Sequence, residues 1–168
     1  MKEIKRDLFD CISDHKAICI TTNGQYENGK AFMGGGCALE CAKRLPKTST
    51  KLAQCLKNFG TNIPFILGML DDNLNYMEPN LKLIKADKYK CLIFSFPTID
   101  DLMDGAKIEL IKRSAEAMRA FADRFQLMGI ALGRPGCGVG SLNYKNVKPI
   151  IAPILDDRFT IVSFDNEE

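Results

Sequence analysis

Residues 28–46 read NGKAFMGGGCALECAKRLP and place three consecutive glycines, Gly34 to Gly36, ahead of a run of small residues. Glycine has no side chain to bury and loses the most backbone freedom on folding, so a triplet is unfavourable in a packed core. After the triplet, Ala38, Cys41 and Leu45 follow at helical spacing and Pro46 closes the segment, which predicts a helix over 36–45. A glycine loop that enters a helix predicts that something outside the chain approaches this backbone closely.

Short apolar strands alternate with helices on both sides of this stretch. The predicted strands cover residues 17–22, 62–70, 81–87, 90–97, 128–133 and 159–164, with 81–87 as the hairpin partner of 62–70. The predicted helices cover residues 50–58, 108–125 and 147–155, and the second has the clearest amphipathic spacing. The alternation predicts an α/β sandwich with a largely parallel sheet, and the length of 168 residues predicts a single domain, 1–168.

Composition excludes some classes of protein. Hydrophobic residues make up 46% and charged residues 26% of the chain, as in an ordinary soluble globule. A net charge of +2 from evenly mixed residues gives no support to a nucleic-acid partner. Because no apolar run approaches the roughly 20 residues that a membrane span needs, no membrane partner is expected.

The cysteine pattern favours reduced thiols over a metal site. The seven cysteines form no C-x-x-C pair, and His15 is the lone histidine. Cys37 and Cys41 lie one helical turn apart with no second ligand pair nearby, so no metal and no cofactor is expected. The N-terminal segment MKEIKRDLFDC has no apolar signal region, which together with the thiols predicts a cytoplasmic location. We expect His15 to have a surface role.

A second glycine-rich loop follows another predicted strand. The segment 134–142 reads RPGCGVGSL and comes directly after the strand 128–133, just as the triplet follows Asn23 and the strand 17–22. In open α/β sheets, ligands bind beyond the carboxyl ends of the strands. Two rows of backbone N–H groups at such ends predict a diphosphate ligand. The glycines match neither the Walker pattern nor the dinucleotide fingerprint.

Taken together, these motifs resemble those of macro domains. TNGQYENGKAFMGGGCALECAKRLP (22–46) resembles their first ligand loop, in the branch of bacterial and phage-type proteins and DNA ADP-ribosyl glycohydrolase antitoxins. RPGCGVGSLNYKNVKPII (134–151) is similar to the second loop, with Tyr144 where tryptophan is usual. FPTIDDLMDGAKIELIKRS (96–114) and KRDLF (5–9) resemble two further segments, so the resemblance spans about residues 2–164.

The resemblance implies a three-layer α/β/α sandwich with a mixed, largely parallel sheet and an ADP-ribose cleft at its crest. It implies that Asp7 binds the adenine amino group, that Asn23 meets the distal ribose as the catalytic candidate, and that Phe164 covers the adenine. The glycine loops would enclose the ribose and diphosphate. The implied site residues are Asp7, Leu8, Asn23, Met33, Gly34, Gly35, Gly36, Cys37, Ala38, Thr98, Gly136, Cys137, Gly138, Val139, Gly140 and Phe164.

Structural alternatives remain open for several of these residues. Asp7 can be a solvated charge near the terminus, and Asn23-Gly24 can be only a turn. Cys137 is a better candidate for a small packing residue than for a nucleophile, since no histidine lies near it in sequence to activate it.

Two departures from the family pattern bear on catalysis. Ile99 stands where the DNA-directed glycohydrolases have a lysine, and Val139, Gly140 and Ser141 stand where a related deacylase has an acid. Asp100 or Asp101 reaches the cleft only if the register is shifted. The expected function is binding of ADP-ribose or a close derivative and hydrolysis of a derivative such as ADP-ribose 1''-phosphate or an ADP-ribosyl adduct on DNA or protein. The alternatives are a non-catalytic module that sequesters such nucleotides and, third, a scaffold for RNA or protein.

Overall fold

A mixed sheet of seven strands forms the centre of the molecule. The computed structural model describes residues 1–164. The strands are β1 (Lys2–Lys5), β2 (Ala17–Asn23), β3 (Tyr26–Glu27), β4 (Lys30–Ala31), β5 (Ile66–Leu70), β6 (Tyr76–Met77), β7 (Cys91–Ile99), β8 (Ile130–Gly133) and β9 (Phe159–Ser163). The sheet order is β1-β9-β8-β2-β7-β5-β6. The first five strands are mutually parallel, β5 runs antiparallel to β7, and β6 runs antiparallel to β5. Strands β3 and β4 form a separate antiparallel hairpin.

Helices cover both faces of the sheet. They are α1 (Gly36–Arg44), α2 (Lys47–Phe59), α3 (Leu81–Lys85), α4 (Ile108–Phe125) and α5 (Tyr144–Ile151), with a 3-10 helix at Phe9–Ser13. Strand β2 shows the division, because Ile18 and Ile20 pack in the core under α1 and α2, whereas Ala17 and Cys19 pack in the core under α4 and α5. Strand β7 is buried along its whole length. The predicted α/β/α sandwich with a mixed, largely parallel sheet is confirmed.

One predicted strand is wrong. Residues 81–87, expected to pair with the strand at 62–70, contain helix α3, and the partner of β5 is the short strand β6 instead. The Asn80 side chain accepts hydrogen bonds from the N–H groups of Lys82 and Leu83, which caps the helix. The alternating pattern of LKLIK suits a strand, but the cap and the burial of Ile84 on one helical face decide the outcome.

No pattern in the sequence predicts the edge strand β1, which reads KEIK and is exposed at all four residues. It forms through its parallel pairing with β9, where Lys2 lies beside Thr160. Helix α5 begins at Tyr144, earlier than expected, because the Asn143 side chain accepts the Lys145 N–H. Within residues 1–164, no helix is long and apolar enough to span a bilayer.

Candidate ligand-binding cleft

A cleft of about 1520 Å³ lies at the carboxyl ends of the parallel strands. The segment after β2 supplies residues 31–38 to its wall, and the segment after β8 supplies residue 134 and residues 136–145. Because β8 and β2 are neighbours in the sheet, the two glycine loops face each other across the middle of the cleft. Strands β9 and β1 lie on one side of this middle and β7 lies on the other, which gives the cleft two ends of different composition.

The structure brings almost all of the expected site residues together. Those that line the cleft are Leu8, Asn23, Met33, Gly34, Gly35, Gly36, Cys37, Ala38, Thr98, Gly136, Cys137, Gly138, Val139, Gly140 and Phe164. Asp7 is not among the lining residues. Its Oδ1 accepts the Phe9 N–H at 2.7 Å, at the start of the 3-10 helix, so its observed contact is local and structural.

Two glycines, one in each loop, have no structural reason to be glycine. A Cβ built on Gly34 or on Gly138 meets no atom within 4 Å, and neither residue has a φ in the left-handed range. Both are exposed on the cleft wall. An alanine would therefore fit at either position in the free protein, which points to an external group that contacts the backbone here.

Other glycines of the second loop are required by packing. Gly136 has a φ of +76°, and a Cβ on it would lie 2.8 Å from Ile111 Cδ1. A Cβ on Gly140 would lie 2.5 Å from Ala106 Cβ and 2.7 Å from the Gly136 carbonyl oxygen. These contacts fix the loop against α4 and the segment before it, so the exposed Gly138 is presented from a rigid base.

The two loops also touch each other. A Cβ on Gly35 would lie 2.9 Å from Val139 Cγ2, and the Val139 side chain is 68% exposed. Val139 therefore lies directly over the Gly35 backbone and partly roofs the middle of the cleft. A larger residue at position 35 must displace this valine, in contrast to substitutions at Gly34 and Gly138.

Asn23 holds the first loop in place. Its Nδ2 donates to the Phe32 carbonyl at 2.8 Å and its Oδ1 accepts the Gln25 N–H at 3.0 Å. Gln25 Oε1 in turn accepts the Leu102 N–H at 2.9 Å, which ties this loop to the segment after β7. Asn23-Gly24 is thus more than a turn, and each amide atom of Asn23 retains capacity for a further hydrogen bond.

The floor of the cleft carries a buried hydroxyl that the fold does not satisfy. Thr22 lines the cleft and is 3% exposed, yet its Oγ1 has no hydrogen-bond partner among the described residues. A buried polar group without a partner costs about 1–3 kcal/mol. Such a cost at the floor of a cleft marks Thr22 as a hydrogen-bonding group for a ligand or a water molecule. Sequence reasoning missed this residue, because threonine is ordinary in a strand.

We expect Thr22→Val to stabilise the free protein by about 1–2 kcal/mol, because a methyl group replaces an unsatisfied hydroxyl of similar size. Urea denaturation measures the change. Thr48→Val is the matched control, since Thr48 is equally buried but its hydroxyl donates to the Leu45 carbonyl at 2.6 Å. That variant should lose stability. Equal losses in both variants would show that the Thr22 hydroxyl is already satisfied.

The two cysteine thiols in the cleft, Cys37 and Cys137, lack the surroundings that would activate a nucleophile. Burial raises the pKa of the Cys137 thiol, which lies 3.4 Å from the Pro135 carbonyl oxygen. Cys37 Sγ lies 3.2 Å from Thr21 Oγ1. His15 precedes β2 and so lies at the opposite edge of the sheet, with its ring nitrogens 2.6 Å from Asp14 Oδ1 and 3.4 Å from Thr160 Oγ1. The structural reading of Cys137 as a packing residue fits this arrangement better than catalysis.

Solved structures with the same architecture come from several bacteria. The macrodomain of Thermus aquaticus DarG matches 98% of this chain and 97% of its own with a TM-score of 0.70 and 20% identity. The macrodomain of Mycobacterium tuberculosis DarG matches 96% and 95% with a TM-score of 0.69 and 19% identity. The chain has a macrodomain fold. Identity at this level shows the fold alone.

A third match carries a ligand. Thermosipho africanus DarTG in complex with ADP-ribose has a TM-score of 0.72 and 16% identity, over 95% of this chain. The present chain spans 40% of the length of that protein. A comparison with protein-family models finds no match for this sequence, and neither does a comparison with curated proteins.

One end of the macrodomain cleft is strongly basic. Among residues 1–164, the charged residues that line the cleft all lie on the β1–β9–α5 side of the glycine loops; they are Arg6, Arg134, Lys145, Lys148 and one carboxylate, Glu3. We call this group, with Tyr144, the basic lobe. Sequence analysis missed it, because its members come from two distant segments, residues 3–6 and 134–148, and the unexpected pairing of β1 with β9 brings β1 to this end of the cleft.

Glu3 and Tyr144 anchor the basic lobe. The Tyr144 hydroxyl donates to Glu3 Oε1 at 2.7 Å, and Lys148 Nζ donates to Glu3 Oε2 at 3.0 Å. The hydrogen bond from Tyr144 is the main reason that the pKa of Glu3 lies below its usual value, with Lys148 adding to the shift. Arg134 places its guanidinium 4.6 Å from the centroid of the Tyr144 ring. The lobe is therefore an ordered surface rather than a set of loose side chains.

At the opposite end, next to β7, the described lining residues are uncharged. It is lined by Thr98, by Ile99, which is 7% exposed, and by Leu102. Asp100 and Asp101 do not line the cleft, because Asp100 Oδ1 accepts from Asn62 Nδ2 and Asp101 Oδ1 accepts the Met103 N–H. The shifted register that would bring either carboxylate to the cleft is not observed. Residues 1–164 also contain no cluster of three or more potential metal ligands.

Proposed function

We propose that this protein binds ADP-ribose or a close derivative in the cleft between the two glycine loops. The observation that carries the proposal is the pair Gly34 and Gly138, which face open space in the cleft without a conformational or packing need for glycine. A side chain at either position would occupy the space of a ligand that lies against both backbones. The DarTG structure with bound ADP-ribose supports the choice of ligand, because it has the same fold.

The geometry accounts for how a diphosphate is held. Helix α1 begins at Gly36, and no side chain caps the N–H groups of its first turn. Such groups and the helix dipole attract an anion. The backbone of 136–140 approaches from the other side, with Val139 above. Two facing rows of N–H donors bind a diphosphate without requiring a cation in the middle of the cleft, and no cofactor is needed for this.

Hydrolysis of a derivative is the finer part of the proposal. Within residues 1–164, the cleft wall near β7 offers Asn23, Thr22 and Thr98 but no carboxylate, lysine or histidine. In a hydrolytic step there, the Asn23 amide would position a water molecule. The ligand's own phosphates would act as the base that accepts its proton. The non-catalytic alternative is favoured by Ile99, whose side chain can neither transfer a proton nor stabilise charge. ADP-ribosylated DNA or protein remains the proposed source of adducts, and a cytoplasmic location fits the seven free thiols.

Isothermal titration with ADP-ribose tests the binding proposal, with AMP and ATP as controls. Selective binding of ADP-ribose is expected, and absence of binding would overturn the proposal. Incubation with ADP-ribose 1''-phosphate and with ADP-ribosylated DNA or protein then separates turnover from sequestration. Release of phosphate or of free ADP-ribose supports hydrolysis, whereas a tight complex without product supports sequestration.

We expect Asn23→Ala to weaken ADP-ribose binding by about 1–3 kcal/mol, the size of one or two lost hydrogen bonds. Isothermal titration of the variant measures this loss. Gln25→Ala is the control for loop order, because Gln25 fastens the same loop through Leu102 and does not line the cleft. Equal losses in the two variants would indicate that Asn23 acts only by holding the loop.

A further inference from the structure

The basic lobe contains one cation, Lys145, that forms no ion pair with any described residue. Lys148 is paired with Glu3, and Arg6 is paired with Asp14 at 2.7 Å. Lys145 makes no ion pair with any residue in 1–164, although it is exposed on the cleft wall. It occupies the first turn of α5, where the helix dipole disfavours a cation. The placement of Lys145 therefore does not serve helix stability.

The tyrosine at the centre of the lobe holds the guanidinium of Arg134 in position. Tyr144 is held by its hydrogen bond to Glu3, and Arg134 lies over its ring. A guanidinium held over an aromatic face has its N–H donors directed to the sides, as recognition of a planar or tetrahedral anion requires. A fixed arginine and a lysine without an ion pair in residues 1–164, both on the wall of one end of the cleft, favour a phosphate group over a neutral one.

An exposed aromatic residue lies at the same end of the cleft. Phe164 follows β9, lines the cleft and is 68% exposed. An exposed aromatic ring at the edge of a cleft offers a stacking surface for a planar base. The adenosine half of the ligand, its nucleoside arm, is therefore placed at the β9 side. The distal ribose is then placed at the uncharged end near β7.

ADP-ribose itself has no anion for this lobe, since its charges lie in the diphosphate between the glycine loops. The cleft of about 1520 Å³ is larger than the 300–1,000 Å³ common for small-molecule sites. We infer that the ligand carries, besides its diphosphate, a second phosphate group, a monoester on the ribose of its nucleoside arm, which binds Arg134 and Lys145. This inference rests on the proposed function and names a substrate class for the same site: ADP-ribose derivatives phosphorylated on the nucleoside ribose.

The test is isothermal titration of the full chain with ADP-ribose and with ADP-ribose 2′-phosphate. We expect the phosphorylated ligand to bind about tenfold tighter at roughly 50 mM salt, the effect of one charge-assisted hydrogen bond. The preference should shrink at roughly 300 mM salt, because exposed charges are screened. Lys145→Gln should reduce the preference several-fold. Lys112→Gln, which removes the same charge from the exposed face of α4, should not.

Each outcome has one meaning. Equal affinity for the two ligands in the unaltered protein overturns the inference and leaves the proposed function intact. A preference that Lys145→Gln does not change also overturns it, because the second phosphate then binds elsewhere. Binding of neither ligand overturns the proposed function itself.

Discussion

Gly138→Glu should abolish ADP-ribose binding and leave the folded protein as stable as before. The new side chain points into open space, so the free energy of unfolding should change by no more than about 0.5 kcal/mol. In the complex, however, the carboxylate would lie against the diphosphate. Two unit charges about 4 Å apart near a protein surface repel by ~4 kcal/mol, which corresponds to roughly 1,000-fold in affinity.

Isothermal titration and thermal denaturation of the same preparation measure both halves of this prediction. Gln54→Glu is the matched control, because it adds the same charge on the exposed face of α2 outside the cleft. It should bind ADP-ribose normally. If Gly138→Glu instead unfolds, the second loop is packed more tightly than its open surroundings indicate, and the glycine is structural. Gly35→Glu is a less clean variant, because it must also displace Val139.

Gly140→Ala, two residues away in the same loop, should instead destabilise the folded protein. Its methyl group would lie 2.5 Å from Ala106 Cβ and 2.7 Å from the Gly136 carbonyl oxygen. A backbone atom cannot rotate out of the way as a side chain can, so we expect a loss of about 1–3 kcal/mol in the free energy of unfolding. The second loop would also be displaced, and ligand affinity would fall with it.

Urea denaturation of Gly140→Ala and Gly138→Ala as a pair measures this contrast. Gly138→Ala should be neutral or stabilising by about 0.4–1 kcal/mol, because it restricts only the unfolded chain. A pair with equal midpoints would mean that the loop is loose enough to absorb the methyl group at Gly140. The cleft would then lack the rigid base that the contacts of Gly136 and Gly140 provide.

The glycine loops illustrate how far the sequence alone could identify the site. Their spacing after apolar strands predicted that both loops meet at one edge of a parallel sheet, and the structure brings them together there. The sequence could not separate Gly34 and Gly138 from Gly136 and Gly140. All four are glycines in loops, and only the distances to Ala106, Ile111 and the loop's own backbone show which of them packing requires.

Sequence patterns predicted secondary structure less well in short elements, where two patterns competed or none was present. The LKLIK segment has strand-like alternation, yet the Asn80 cap makes it helix α3. The edge strand β1 has no apolar pattern at all and forms because β9 offers it a hydrogen-bonding partner. Short elements are decided by their neighbours more than by their own residues.

By itself, the sequence determined the layered α/β architecture and the position of the two ligand loops, because strand and helix periods and glycine runs are local properties that survive without tertiary contacts. Tertiary structure alone decided the character of the two ends of the cleft. The basic lobe joins Glu3 to Tyr144 and Lys148, which are more than 140 residues away in the chain. The unsatisfied Thr22 hydroxyl is likewise visible only after burial. Charge and hydrogen bonding depend on distances that folding sets, so no reading of neighbouring residues could supply them.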